Sequence, residues 1–328
     1  MRITVINPLR GTMTHYSREI QQTLEAATGA DRVHVVSLSE PSTGEVSRIR
    51  WVANYLGALG KYGRWSRSDR VIVTWPVLGL LDLILIRLLA GPRGVLIIHD
   101  GSPLVRSVGY GRVARRLIGI IRPRVAVVVH TEFARSHIQS AFVRQQARLA
   151  LHPISIGEAI VADARSTVVR VLGQYKRDRD VDLLRDLGAT GSFEIEVRGR
   201  GWPSIPGIDV EEGFLDERTL VDLLRSSSVV LIPYKRFYQS GIAIRAVEVG
   251  TPVVAASSEF MELLAPTRDW SPRDPSRVES WERAIRNAGL DAGAGTVEVR
   301  DHYFHRAVAS WRKVLLEGGD DGNAASSS

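Results

Sequence analysis

The 328-residue chain contains no cysteine, which excludes disulfides, thiolate nucleophiles and cysteine-ligated zinc. It also lacks an apolar run long enough to cross a bilayer. The longest, Val77 to Ala90, is interrupted by Asp82 and Arg87 and reads as a buried helix. The opening Met1-Arg-Ile-Thr-Val-Ile-Asn is too short in apolar residues for a signal peptide and reads as the first strand of a cytoplasmic protein. There is no phosphate-loop Lys-Ser/Thr and no Gly-x-Ser-x-Gly elbow, and neither a histidine–carboxylate cluster of zinc-like spacing nor an Asp-x-Asp metal site is expected. Gly109-Tyr-Gly-Arg-Val-Ala-Arg is a fragment of a dinucleotide fingerprint with no strand leading into it, and it is discounted.

What is present fits a large soluble enzyme. A hydrophobic content of 44% over this length can bury two cores, so two domains are expected. Charge is unevenly spread: Met1 to Ile160 carries 21 Lys+Arg against 10 Asp+Glu, a net of +11, and the remainder is −4. The first half should therefore meet something anionic. Its densest cations are Arg106, Arg112, Arg115, Arg116, Arg122 and Arg124, and on a helix Arg112, Arg115 and Arg116 share a face. Aromatics are not interleaved with them and no nucleic-acid motif is present, so an anionic membrane surface is the preferred partner over nucleic acid. The plain alternative is a solvated arginine-rich face.

Strand-like runs lie at 2–7, 32–38, 70–75, 94–99 and 124–130, with a weaker one at 148–152. Helical patterns between them include 13–27, 78–90 and 111–121. After Pro153 the periodicity stops until Ser166, which marks a linker; a second series follows at 167–172, 193–197, 229–233 and 252–255. Such alternation calls for parallel strands with right-handed crossovers, that is, two doubly wound α/β domains in tandem. The final helical pattern, 301–316, precedes a Gly-, Asp- and Ser-rich tail, 317–328, expected to be disordered.

The segment 228–256 carries most of the chemistry. Ser228-Val-Val-Leu-Ile-Pro-Tyr-Lys reads as a buried strand and its exit, Tyr238-Gln-Ser-Gly-Ile-Ala-Ile-Arg as a loop entering a helix, and Gly250-Thr-Pro-Val-Val-Ala-Ala as the next strand. Ser240 and Gly241 open that helix, where unpaired N–H groups and the helix dipole favour an anion such as a diphosphate. An ordinary N-cap is the plain alternative. This order resembles the nucleotide-sugar site of GT-B fold glycosyltransferases, in which a strand ending in Pro-Ser or Pro-Tyr is followed by a loop, a helix and a Gly-x-Pro-Val-Val strand. Here Pro233-Tyr234 and Gly250-Thr251-Pro252-Val253-Val254 occupy those places.

The resemblance implies two tandem Rossmann-like domains, 1–155 for the acceptor and 156–300 for the donor, with a deep cleft between them. It further implies a last helix, 301–316, crossing back to the first domain. It also implies specific roles. Ligands of such sheets lie beyond the carboxyl ends of the strands. After the first strand, Gly11 resembles the family's glycine loop, with Thr12, His15 and Tyr16 beside the cleft. His99 maps onto a histidine that contacts the transferred sugar, and the adjacent Asp100 can serve as base for the acceptor hydroxyl. His130, at the next strand end, is the weaker candidate because Thr131 should cap the helix behind it. Gly173 opens the loop Gly173-Gln-Tyr-Lys-Arg-Asp-Arg, in which Arg179 takes the place of the family's diphosphate-binding lysine. Lys176 and Arg177 are its near alternatives. Phe214 is a candidate neighbour of the nucleotide base or else a core residue, and Tyr234, Lys235 and Arg236 flank the phosphates. Alignment on Ser240-Gly241 puts Glu248 on the ribose-gripping glutamate, whereas alignment on Gly250 puts Arg245 there.

The implied activity is metal-independent transfer of a sugar from a nucleoside diphosphate donor to a hydroxyl of a polysaccharide or lipid-linked glycan intermediate. It would take place at the cytoplasmic face of a membrane, with no cofactor beyond the donor substrate. A non-catalytic or partner-dependent GT-B protein, and another GT-B chemistry such as sugar-nucleotide epimerisation, are the alternatives.

Overall fold

The computed structural model describes residues 1–29, 32–63, 69–99, 109–141, 147–157, 167–235 and 239–317. Of the expected tail 317–328, Glu317 is the last residue of a helix and 318–328 lie outside these residues, as does most of the expected linker, 158–166. The chain divides into two compact units, Met1–Pro153 with Arg306–Ser328, and Ile154–His305.

Six parallel strands build the first unit: β1 (Ile3–Asn7), β2 (Val33–Ser37), β3 (Arg70–Val73), β4 (Val95–Ile97), β5 (Ala126–Val129) and β6 (Ala147–Leu149). Their order is β2-β1-β3-β4-β5-β6. β3 and β4 are buried along their whole length, as a sheet covered on both faces requires. Alternate side chains feed two cores. On one face Val71, Val73, Leu96 and Val127 pack against helices α2 (Arg48–Gly63), α3 (Leu81–Leu89), α4 (Arg112–Ile121) and α5 (Glu132–Ala141), through Tyr55, Leu59, Leu83, Ile86, Ile118 and Ile138. On the other, Ile3, Val5, Ile72, Val95 and Val128 meet Ile20 and Leu24 of α1 (Thr14–Thr28).

The expected helix at 78–90 begins later, at Leu81, because the buried Asp82 carboxylate accepts the Leu78 N–H at 2.8 Å and holds Val77–Leu80 as a turn. α2 fills the gap between β2 and β3, where a helical pattern was expected without bounds. Gly57, Gly60 and Gly63 interrupt its apolar pattern, and only Tyr55, Ala58 and Leu59 reach the core.

The second unit holds β7 (Val169–Leu172), β8 (Ile195–Gly199), β9 (Asp209–Glu212), β10 (Val229–Ile232) and β11 (Val253–Ala255), in the order β11-β10-β7-β8-β9. All are parallel, so every carboxyl end lies along one edge of the sheet. Helices α6 (Val181–Thr190), α7 (Glu217–Arg225) and α8 (Gly241–Glu248) connect strands, and α9 (Glu259–Leu264) and α10 (Val278–Leu290) follow β11. β9 was not anticipated. Its Asp-Val-Glu-Glu sequence has no apolar run, and Arg198 of β8 holds it through Asp209 at 2.6 Å and Glu211 at 3.2 Å.

The last helix, α11 (Ala294–Glu317), starts seven residues before the expected Asp301. Its second half belongs to the first unit. There the Trp311 indole N–H donates to Leu151 O at 3.0 Å, Ser310 Oγ accepts the Leu151 N–H at 3.0 Å, and Val314 and Leu315 enter the α1 core. Arg148 donates to Val314 O at 3.0 Å and Arg70 to Leu315 O, so two cations meet the carbonyls at the negative end of the helix. Trp311 is fully buried. Trp311→Ala is expected to cost about 3–5 kcal/mol of stability, because it opens a cavity and orphans Leu151 O. Urea denaturation of the two proteins measures this, and a loss well under ~1 kcal/mol would remove Trp311 from the core.

Candidate functional site

In the second unit the chain runs outward from β7 to β8 and β9, then returns past β7 to place β10 on its other side. The connections leaving β7 and β10 therefore diverge, and the crevice beyond their carboxyl ends is the ligand-binding position of such a sheet. Both loops are tied together there. Asp180 N–H donates to Pro233 O at 2.7 Å and Lys235 N–H to Asp178 O at 2.8 Å, and Arg179 and Tyr234 form an isolated antiparallel bridge. The Arg179 guanidinium lies 3.3 Å from the centre of the Tyr234 ring. Burial, the largest influence, lowers the guanidinium pKa and raises that of the Tyr234 phenol.

Of the three cations considered in the first loop, only Arg179 is buried; Lys176 and Arg177 are exposed. Lys235 is exposed too, 3.9 Å from Asp180 and 4.0 Å from Asp182. Asp178-Arg179-Asp180 has the Asp-x-Asp spacing of a metal-binding pattern, which corrects the expectation that no such pattern is present. Here Asp180 caps α6 by accepting the Leu183 N–H at 3.2 Å, and Asp178 lies 3.4 Å from Arg179.

Gly173 closes β7 with φ +102°. Its carbonyl accepts the Trp202 indole N–H at 2.7 Å, and a Cβ on Gly199 at the end of β8 would fall 2.0 Å from that oxygen. Only glycine fits at 199, so the two strand ends pack backbone against backbone.

Ser240 caps α8, its Oγ accepting the Ala243 N–H at 3.3 Å. The ordinary capping role is thus present. It leaves the N–H groups of Gly241 and Ile242 without a hydrogen-bond partner among the described residues. Gly241 is exposed, and a Cβ there would meet nothing within 4 Å. At the other end of α8, Glu248 accepts the Ser155 N–H at 2.6 Å. Arg245 is buried in a two-pronged pair with Glu217, at 3.0 and 2.5 Å. Phe214 is 86% exposed, which corrects the core alternative: it follows the edge strand β9 and has no sheet face to pack on.

In the first unit the Gly11–Thr12 loop is occupied by a carboxylate that the sequence reading missed. Oε1 of the buried Glu40 accepts from Thr12 N–H at 3.1 Å, Thr12 Oγ1 at 2.6 Å and Ser42 Oγ at 2.8 Å. His15 pairs with Glu19 one helical turn on, at 3.1 Å. Thr131 does cap α5, accepting the Ala134 N–H at 3.2 Å.

His130 itself has both ring nitrogens engaged inside the protein. It sits in a cluster at the carboxyl ends of β3 to β6, its ring centre 5.3 Å from the half-buried His99 and 5.1 Å from the buried His152. Its Nδ1 faces Ala150 O at 2.8 Å, so that nitrogen carries the hydrogen and Nε2 accepts from Tyr16 OH at 2.9 Å. His99 stacks on Trp75 at 5.4 Å and directs Nε2–H to Thr74 O at 3.0 Å. Asp100, Arg236 and Tyr238 lie outside the described residues.

No family model and no curated protein matches the sequence. Solved structures do match the whole architecture. The sucrose-phosphate synthase of Thermosynechococcus elongatus is 14% identical with a TM-score of 0.62, covering 97% of this chain and 98% of its own. HepE of Anabaena, in complex with UDP and glucose, is also 14% identical with a TM-score of 0.62, covering 97% and 99%. A UDP-forming trehalose-phosphate synthase of Burkholderia xenovorans is 11% identical with a TM-score of 0.61, covering 97% and 98%.

The chain has the GT-B fold. At such identities the likeness carries the fold alone, and this GT-B chain's own side chains must carry the chemistry. Three histidines spread from 99 to 152 have no local motif; the parallel sheet alone assembles them.

Burial, and then His152, push the His99 imidazole down to about 3. Burial, His152 and His99 together push His130 well below 6.5. Above pH 6.5 both folded and unfolded forms are neutral and the cluster's contribution is complete. As pH falls from there toward 3, the unfolded chain takes up protons that the folded chain refuses. Stability should therefore fall by up to roughly 1.4 kcal/mol per pH unit for each histidine. Urea midpoints measured between about pH 7 and pH 5 should show this slope, and His130→Gln should flatten it; equal slopes would remove His130 from the account.

Proposed function

We propose that this GT-B chain is a glycosyltransferase that moves a sugar from a nucleoside diphosphate donor to a hydroxyl acceptor without a bound metal ion. The observation that carries this is the meeting of Gly173, Arg179, Tyr234 and the open Ser240–Gly241 helix start at the switch point of the second sheet. A diphosphate there would accept from the α8 N–H groups and from Arg179, and these donors would stabilise the charge that grows as the nucleoside diphosphate leaves. Glu248 is proposed for the ribose and the exposed Phe214 for the base, with Lys176 and Lys235 adding positive potential. The first unit takes the acceptor. Its neutral His99 would orient the sugar by hydrogen bonding and Asp100 would receive the acceptor proton.

HepE was solved with UDP and glucose and the Burkholderia enzyme is UDP-forming, which makes UDP the first nucleotide to try. The acceptor is proposed to be a polysaccharide or lipid-linked glycan intermediate at a membrane surface, on the strength of the basic first half. One observation favours a partner-dependent or non-catalytic role instead: Glu40 already occupies the Gly11–Thr12 loop. Turnover appearing only with a second protein would establish that reading, and donor consumption without any acceptor would indicate an epimerase-type chemistry.

Thermal stabilisation by UDP, GDP, ADP, CMP and dTDP, each with its common sugars, tests the donor site. One nucleotide should raise the melting temperature with concentration. Arg179→Ala should weaken that binding about 10- to 100-fold with the fold intact, the loss of a charge-assisted contact. A flat panel would sink the donor assignment, and unchanged affinity would remove Arg179 from it. In turnover assays run with a chelator present, activity should persist. His99→Ala should there depress kcat more than donor affinity, and equal effects on both would assign His99 to binding alone.

A further inference from the structure

We infer that the outer face of α4 docks on an anionic lipid bilayer. Only Ala114 and Ile118 of this helix are buried. Val113 is 74% exposed, Leu117 40%, Ile120 69% and Ile121 51%, an unusual loss of apolar surface to water on so short an element. At roughly 100° per residue, Val113, Leu117 and Ile120 fall within about 60° of one another. Arg112 and Arg116 flank this stripe on one side, and Ile121 continues it toward the buried face on the other. The helix ends at Arg122, whose left-handed φ of 49° turns the chain into Pro123 and the exposed Arg124.

The neighbouring helix extends the surface. α3 and α4 are both crossovers between strands of one parallel sheet and run the same way, and the last turn of α3 exposes Arg87 and Leu88 as the end of α4 exposes Ile120–Arg122. From Leu83 to Thr131 the sequence has eight arginines and one carboxylate, Asp100. Arg112, Arg116 and Arg124 form no ion pair among the described residues, so their charge is available to a partner.

A bilayer fits this combination better than the other occupants. A second copy packed stripe to stripe would bring arginines against arginines. Nucleic acid would satisfy the cations and leave the apolar stripe unburied. An acidic bilayer surface takes both at once, the apolar side chains entering the headgroup boundary while the arginine stems reach outward to lipid phosphates. No helix among the described residues is long and apolar enough to cross a membrane, so the contact is peripheral. Docking of this kind deepens the proposed transfer to a lipid-linked acceptor and rests on that reading for its purpose.

Flotation of the full chain with phosphatidylcholine vesicles, with and without phosphatidylglycerol, tests it. Binding should require the anionic lipid and weaken as salt is added. Arg112→Gln with Arg116→Gln should lower vesicle affinity about thirty-fold, and Leu117→Gln with Ile120→Gln at least about tenfold. All four side chains are exposed, so circular dichroism and melting temperature should match the parent. Absence of binding to the anionic vesicles overturns the inference, as do variants that bind like the parent. A dimer dispersed by the Leu117/Ile120 variant, without vesicle binding, overturns it in favour of self-association. The nucleotide response, measured without vesicles, reads the transferase proposal separately. Vesicle binding without a nucleotide response defeats only the latter, and the reverse result defeats only the docking.

Discussion

Parallel pairing of β7 with β10 is the constraint on which the candidate site depends. Val229 pairs with Val169 and Val230 with Arg170, so the two strands leave the sheet side by side at their carboxyl ends. Their continuing loops cannot avoid each other, and the backbone bonds Asp180–Pro233 and Lys235–Asp178 fix how they meet. Strand side chains alternate between faces, so a slip of one residue in this register would turn Tyr234 away and dissolve its contact with Arg179. The backbone contact between Gly173 and Gly199 keeps the adjoining strand ends equally close. The site is thus built from main-chain geometry first, and side chains are added to a frame already set.

This explains what could be read from the sequence. Buried parallel strands are short β-branched runs, so β3, β5, β7 and β10 are legible as Val- and Ile-rich segments bounded by polar residues. Edge positions are not. β9 has one apolar residue, and it exists because Arg198 and the β8 backbone hold it. The bounds of α2 are hidden by its glycines, and its place is fixed by packing against the sheet. The site divides the same way. Ser240, Gly241, Tyr234 and Arg179 sit in loops whose order along the chain is itself a signal. Glu40, by contrast, reaches Thr12 across 28 residues of sequence, and His130 meets Tyr16 across 114. No spacing rule spans such distances.

The second unit also offers an internal comparison among three of its buried arginines, Arg170, Arg179 and Arg245. Arg170 donates to Glu196 at 2.7 Å and to Ser226 O at 2.6 Å, besides Leu223 O and two serine hydroxyls; it closes the end of α7. Arg245 grips both carboxylate oxygens of Glu217. Each of these cations is matched by a carboxylate in good geometry, as a buried charge in a structural role should be. Arg179 is different. Its carboxylate neighbour, Asp178, stands at 3.4 Å, and its principal contact is the face of Tyr234. A guanidinium carries five N–H donors, and a ring face satisfies few of them. Burial lowers the pKa of Arg179, and Tyr234 and Asp178 oppose it only in part. The tyrosine ring fixes the plane of the guanidinium, so its fork is held in one orientation before any ligand arrives. Beside it lie the unpaired N–H groups that begin α8. Of these three arginines, Arg179 is the one least matched by a carboxylate, and an anion with several oxygens would complete it, as the proposed donor site requires.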